Sequence, residues 1–286
     1  MTGLALAMVL TSAVFHAVWN LFAKQARGGV VFVWMADSLS IALFAPAAAL
    51  VLLLQPARVD GVALGFIAGS ALLHLTYFIL LQRGYSAGDL SLVYPLARGT
   101  GPVLSTTFAI LLFGERPTPV ALAGAVLVGV GVFVLTGGPA VLGNVAFRGA
   151  VAYGLLTGLL IAGYTLWDKQ AVSTFAIAPI LLYYWATVLR VALVAPYGLR
   201  RRPAVRDLWA HHRGQVFGVA LLSPLSYFLV LTALVFTPVS YVAPAREISI
   251  LLGTLLGARL LAEGQGARRL VAAGVMVLGV VALAVG

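Results

Sequence analysis

Cysteine does not occur in this 286-residue chain, which excludes disulfides and thiolate-held metal sites. Charge is nearly as scarce: charged side chains make up 9% of the residues, and only 8 of them are acidic. With 62% hydrophobic residues and a mean hydropathy of +1.06, the chain has too little polar surface to cover a soluble globule. Catalytic signatures are missing as well: there is no H-E-x-x-H, no G-x-S-x-G and no cluster rich in His and Asp. His16 and His74 find no third ligand and read as core histidines rather than a metal pair. Neither a metal nor a cofactor is expected.

What the chain does have is hydrocarbon in membrane-sized lengths. A spanning helix needs about 20 apolar residues, and cutting the sequence at its charged and Gly/Pro clusters leaves ten such stretches. They fall at roughly 4–23, 30–54, 62–82, 90–113, 118–136, 149–167, 177–199, 214–236, 239–261 and 268–285. The expected fold class is an all-α integral membrane protein. The first stretch lacks a basic n-region and a small-residue cleavage site, so it is expected to stay as a helix. The formal charge of +10 does not point to nucleic acid, because the bases are scattered over the connections rather than gathered on one face.

The two halves repeat each other. "LTYFIL" at 75–80 matches "LSYFLV" at 225–230, and "SIALFAP" at 40–46 matches "RVALVAP" at 190–196. "KQA" recurs at 24–26 and 169–171, "VYPLAR" at 93–98 returns as "VAPAR" at 242–246, and "FGER" at 113–116 returns as "LAEG" at 261–264. Each repeat, residues 1–140 and 141–286, holds five spans. Five is odd, so the second copy enters the membrane from the opposite side and the repeats are inverted. Inverted repeats are a hallmark of secondary transporters, whose substrate site lies at the repeat interface on Gly/Pro-interrupted helices.

Charge supports the inversion. Twelve of the eighteen Lys and Arg lie in the connections after spans one, three, five, seven and nine, against Arg58, Arg116 and Lys169 on the other side. By the positive-inside rule the rich side is cytoplasmic, which places both termini outside.

The stretch "FGERPTPVALAGAVLVGVGVFVL" at 113–135, with Glu115, Gly124, Gly129 and Gly131, and its weaker echo Glu263, Gly274 and Gly279, resembles the drug/metabolite transporter superfamily of the type with two tandem EamA repeats. The resemblance implies ten spans as two inverted five-helix repeats, in a chain that exports metabolites across the inner (plasma) membrane. The bacterial YddG-like amino-acid exporters look nearest in length and layout. It also implies cytoplasmic termini, opposite to the charge count.

Arg98 and Arg246 occupy equivalent places in spans four and nine, just after Pro95 and Pro244. An arginine near a helix centre costs about 2.5–3.5 kcal/mol on insertion scales, so each needs a partner or water. One role is to hold a substrate carboxylate, helped by backbone N–H groups freed near the prolines. The other is a structural ion pair, with Asp37 as the available acid. Glu247 cannot pair with Arg246 on one helix face, because adjacent helical residues diverge. Tyr77 and Tyr227 match across the repeat, deeper than an interfacial belt explains, and read as cavity lining. Tyr94, His16 and Trp19, and Tyr164 with Trp167 on span six, are further candidates, although the two tryptophans also suit a belt. Asp37 reads as the isolated carboxylate within a span, with Asp168 near a span end. Glu115 and Glu263, at span ends, read as helix termination or gating contacts rather than substrate ligands.

Three functions compete at this point. The first is export of small zwitterionic metabolites, amino acids above all, by alternating access, in a lipid-embedded chain that works as a monomer. The second is a carrier of anions such as sugar phosphates, which would use both arginines together. The third is an intramembrane enzyme, which lacks an acid/base pair, or a scaffold, which would need no polar centre.

Overall fold

The computed structural model describes residues 1–26, 28–54, 60–87, 90–136, 148–253 and 267–286. Helices account for nearly all of them, since in lipid a backbone must satisfy its own hydrogen bonds. In chain order they are α1 (Gly3–Ala26), α2 (Gly29–Leu54), α3 (Gly61–Ala87), α4 (Leu90–Phe113), α5 (Pro119–Thr136), α6 (Arg148–Ser173), α7 (Pro179–Arg200), α8 (Arg202–Phe236) and α9 (Val239–Ala245). After a two-residue turn, helical backbone resumes over residues 248–253 (α10), and α11 (Ala267–Val285) completes the described chain. Counting α9 and α10 as one broken span gives the expected ten. Among the described residues, seven helices are long and apolar enough to cross a membrane, and the apolar helices at Pro119–Val134 and Val271–Val285 are shorter. Large leucines such as Leu53, Leu54, Leu111 and Leu112 point outward. In a multi-pass membrane protein that surface faces lipid.

Packing between the halves shows the inversion directly. α5 and α11 are repeat equivalents and run antiparallel: Gly124 lies against Gly279 and Leu283, while Gly131 lies against Ala272. A Cβ on Gly124 would stand 2.6 Å from the Gly279 carbonyl, and one on Gly279 would stand 2.7 Å from the Gly124 carbonyl. Only glycine allows backbones this close, as small-residue crossings in membranes require. α2 and α7 are a second antiparallel equivalent pair, with the Trp34 indole N–H donating to the Val191 carbonyl at 3.2 Å and Asp37 meeting Arg190. Two further sets of contacts are exchanged: α1 packs on α8 as α3 packs on α6, and α2 touches α8 as α7 touches α3. Ser12 and Ser226 exchange hydrogen bonds at the α1–α8 crossing.

Two boundaries differ from the sequence reading. The arginine-rich connection expected before residue 214 is helical, because Pro203 sits in the first turn of α8, where its missing N–H costs nothing. The helix then kinks at His212, whose φ of −131° is non-helical. Its first ten residues bury Leu208 and expose Arg202, Arg206, Asp207 and Trp209, an amphipathic pattern suited to a membrane surface. Span nine is broken. Across the turn, Glu247 N–H donates to Pro244 O, Ser249 N–H to Arg246 O and Ile250 N–H to Glu247 O, at 3.0, 3.1 and 2.9 Å. These three-residue steps are 3₁₀ geometry, which inside a helix often marks a functional hinge. Glu263 and Arg259 lie outside the described residues, as do Arg27 and Arg58.

Candidate functional site

An aromatic and charged cluster fills the centre of the bundle, with residues from α1, α2, α3, α4, α6, α7, α8 and the α9–α10 turn. The aromatic part is built on Tyr164 of α6. His74 stacks on it at 4.2 Å between ring centroids, Tyr77 meets it edge-on at 5.7 Å, and Tyr227 lies at 6.5 Å. Tyr227 also touches His74 at 5.4 Å and Tyr183 at 5.5 Å. Edge-to-face and offset contacts of this length are the favoured ones for aromatic rings. The repeat-related Tyr77 and Tyr227 thus flank one tyrosine, and both pack in the same small core with Ala97 and Ile161.

Among the described residues, three arginines and three acids stand around the rings. Arg98 is buried, its Nε 3.1 Å from Glu247 Oε2, and its Nη2 donates to Ser249 Oγ at 3.3 Å. This replaces the Asp37 pairing considered from sequence. The α9–α10 turn aims Glu247 at α4, as the divergence of adjacent residues requires. Asp37 instead meets Arg190, at 3.5 Å. It is therefore not an isolated carboxylate. Arg190, in "RVALVAP", is a site residue that sequence reading missed; its repeat equivalent is Ser40, so the symmetry that exposed Arg98 and Arg246 hid it. Arg190 also lies over the Tyr183 ring at 5.4 Å and donates to Thr187 Oγ1 at 2.9 Å.

Arg246 and Asp168 complete the set. The Arg246 guanidinium lies over the Tyr227 ring, 5.6 Å from its centroid, and no carboxylate among the described residues comes within ion-pair distance of it. Asp168 is fully buried and accepts the Tyr227 hydroxyl proton at 2.6 Å on Oδ2. The Ser70 hydroxyl stands beside it, while Oδ1 closes no hydrogen bond among the described residues.

The other candidates separate. His16 faces the charges of Arg98 and Arg246 and meets Trp19 edge-on at 4.8 Å. Trp19 packs with the cluster around Phe32 and Met35, and its buried indole N–H has no acceptor among the described residues. Trp167 lies away from the central rings. It covers Gly69 of α3, donates to Phe66 O at 2.9 Å and is 38% exposed, so it belongs to the lipid-facing α3–α6 seam. The side chain of Tyr94 lies outside the described residues. A cleft between α2, α7 and α8, lined by Ser40, Phe44, Tyr184 and Phe228, adjoins the cluster at Tyr183 and Thr187.

Glu115 has a specific partner. Its Oε1 and Oε2 accept the backbone N–H groups of Val239 and Ser240 at 2.7 and 2.9 Å, so a carboxylate from the first half caps the α9 N-terminus in the second. Lys169 Nζ donates to the Leu234 and Thr237 carbonyls at 2.6 and 3.1 Å, at the end of α8. Anion at an N-terminus and cation at a C-terminus are the favourable placements for both helix dipoles.

Among curated proteins no sequence matches the chain. A solved structure titled only as the crystal structure of a protein shares the fold, with a TM-score of 0.77 at 15% identity, covering 99% of this chain and 96% of that one. Residues 3–137, the first five-helix half, match the model of the EamA-like transporter family.

Proposed function

We propose that this protein is a secondary transporter that exports small zwitterionic metabolites, amino acids first, by alternating access between its two inverted halves in the inner (plasma) membrane. The EamA-like match of the first half supports a small-molecule transporter. One observation carries the choice of substrate: of the two repeat-equivalent arginines, Arg98 is neutralised by Glu247, whereas Arg246 faces the aromatic centre with no carboxylate partner among the described residues. A single cationic anchor beside aromatic rings suits one carboxylate on a small, partly apolar molecule. A sugar phosphate would need two free cations, and the Arg98–Glu247 contact withdraws one of them.

The test is counterflow of labelled amino acids in proteoliposomes, with Arg246→Gln at matched protein level. Removing a charge-assisted contact should weaken substrate binding by about 1.5–3 kcal/mol, roughly ten- to a hundredfold. Wild-type rates for every amino acid in the glutamine variant would sink the anchor role. Orientation is tested separately: reporter fusions at residue 206 and at the C-terminus should read cytoplasmic and external, and a cytoplasmic C-terminus would reverse the charge-based topology.

A further inference from the structure

A buried charge is tolerated when it is paired or hydrogen-bonded. Around the central rings, Arg98–Glu247 and Arg190–Asp37 are closed pairs. Arg246 and Asp168 are the cation and the anion left over, and they sit on the same tyrosine. Arg246 lies over the Tyr227 ring, and Asp168 holds the Tyr227 hydroxyl. They touch different parts of one tyrosine side chain without pairing with each other, and Asp168 Oδ1 is buried without a hydrogen bond among the described residues. We propose that Asp168 is the ammonium-binding residue of the substrate site, so that Arg246 and Asp168 together select α-amino acids over molecules carrying only one of the two charges.

The chemistry follows from the shared tyrosine. An α-amino acid carries its carboxylate and ammonium on one carbon, and a charge-assisted contact reaches about 2.7–2.9 Å beyond each group. Bound along the Tyr227 ring, such a molecule would offer one charge to each of the two side chains that touch it. Its ammonium gives Oδ1 the donor it lacks, and its carboxylate gives Arg246 the acceptor it lacks. A neutral zwitterion closes both contacts without adding net charge to a low-dielectric centre. A simple carboxylic acid leaves Asp168 unanswered and adds a second anion near it; a simple amine leaves Arg246 unanswered.

This proposal rests on the amino-acid reading above, and the experiment separates the two. Three probes with one side chain are compared: phenylalanine, 3-phenylpropanoate and phenethylamine, with leucine and its deamino and decarboxylated analogues as a second set. Because a neutral amine crosses lipid unaided, the readouts are competition against labelled amino-acid counterflow and ligand-induced thermal stabilisation of the purified protein. Wild type should prefer the amino acid over both analogues by roughly tenfold or more. Asp168→Asn, which keeps the shape and an acceptor for Tyr227, should collapse the preference for the amino acid over the acid. Arg246→Gln should collapse its preference over the amine. If wild type binds phenylpropanoate as well as phenylalanine and Arg246→Gln weakens both, the carboxylate anchor stands and the Asp168 role is wrong. Should Asp168→Asn keep the wild-type preference, the proposal is equally wrong. If no amino acid is carried or bound, the parent reading fails and takes this one with it. The wild-type comparison needs no variant, so a poorly folding Asp168→Asn leaves the test intact.

Discussion

α4 and the α9–α10 segment carry matching sequence and do opposite things with the equivalent arginine. α4 is helical throughout Leu90–Phe113, and its Arg98 is buried against an acid of the other half. The α9 copy has lost one residue between proline and arginine, stops at Ala245, and turns in 3₁₀ steps through Arg246 and Glu247. The turn sends two adjacent side chains to different helices, Glu247 to α4 and Arg246 to α8. One copy thus became a structural anchor, and the acid that silences it sits beside the arginine that stays open. Inverted symmetry supplies two cations; breaking it in one repeat decides which of them is available.

The largest effect should come from breaking the closed pair. Glu247→Ala leaves Arg98 buried beside the gap and should cost about 3–5 kcal/mol, read as a fall in thermal stability of the purified protein. Next in size, Arg246→Gln should lower substrate affinity by about 1.5–3 kcal/mol while changing stability far less. If the two variants destabilise the fold equally, the distinction between anchor and open arginine fails. Glu115→Gln keeps an acceptor for α9 but removes the charge at its N-terminus, for about 0.3–1 kcal/mol. It should loosen the broken helix rather than α4, which hydrogen exchange at Val239–Ala245 against Leu96–Phe113 can measure. On substrate choice, Tyr77→Ala should shift preference between aromatic and aliphatic substrates by about 0.5–1.5 kcal/mol, because a ring supplies contact area and quadrupole rather than charge. An unchanged substrate ranking would remove Tyr77 from the site.

The span count and the inversion were legible because each rests on a regular signal: hydrophobic length, repeat spacing and an odd number of spans per copy. The doubled proline and arginine also stood out as polar residues in hydrocarbon. Pairing was not legible. Asp37 was an available partner for Arg98 by position, yet it meets Arg190, because helix faces decide contacts and the sequence does not state how α2 turns against α7. Asp168 looked peripheral for a related reason: a span expected to end near 167 runs on to Ser173, which carries the acid into the buried interior. Trp167 and Tyr164 are three residues apart on that same helix, yet one faces lipid and the other the rings. Period alone named them together, and only the packing of α6 against α3 separates them.

The matched numbers of arginines and acids around the rings, among the described residues, have an electrical consequence. With a zwitterion bound, the moving centre carries no net charge through the membrane field, where each uncompensated elementary charge is worth about 2.3 kcal/mol per 100 mV. Export of such a substrate should draw no current and should be indifferent to an imposed potassium diffusion potential.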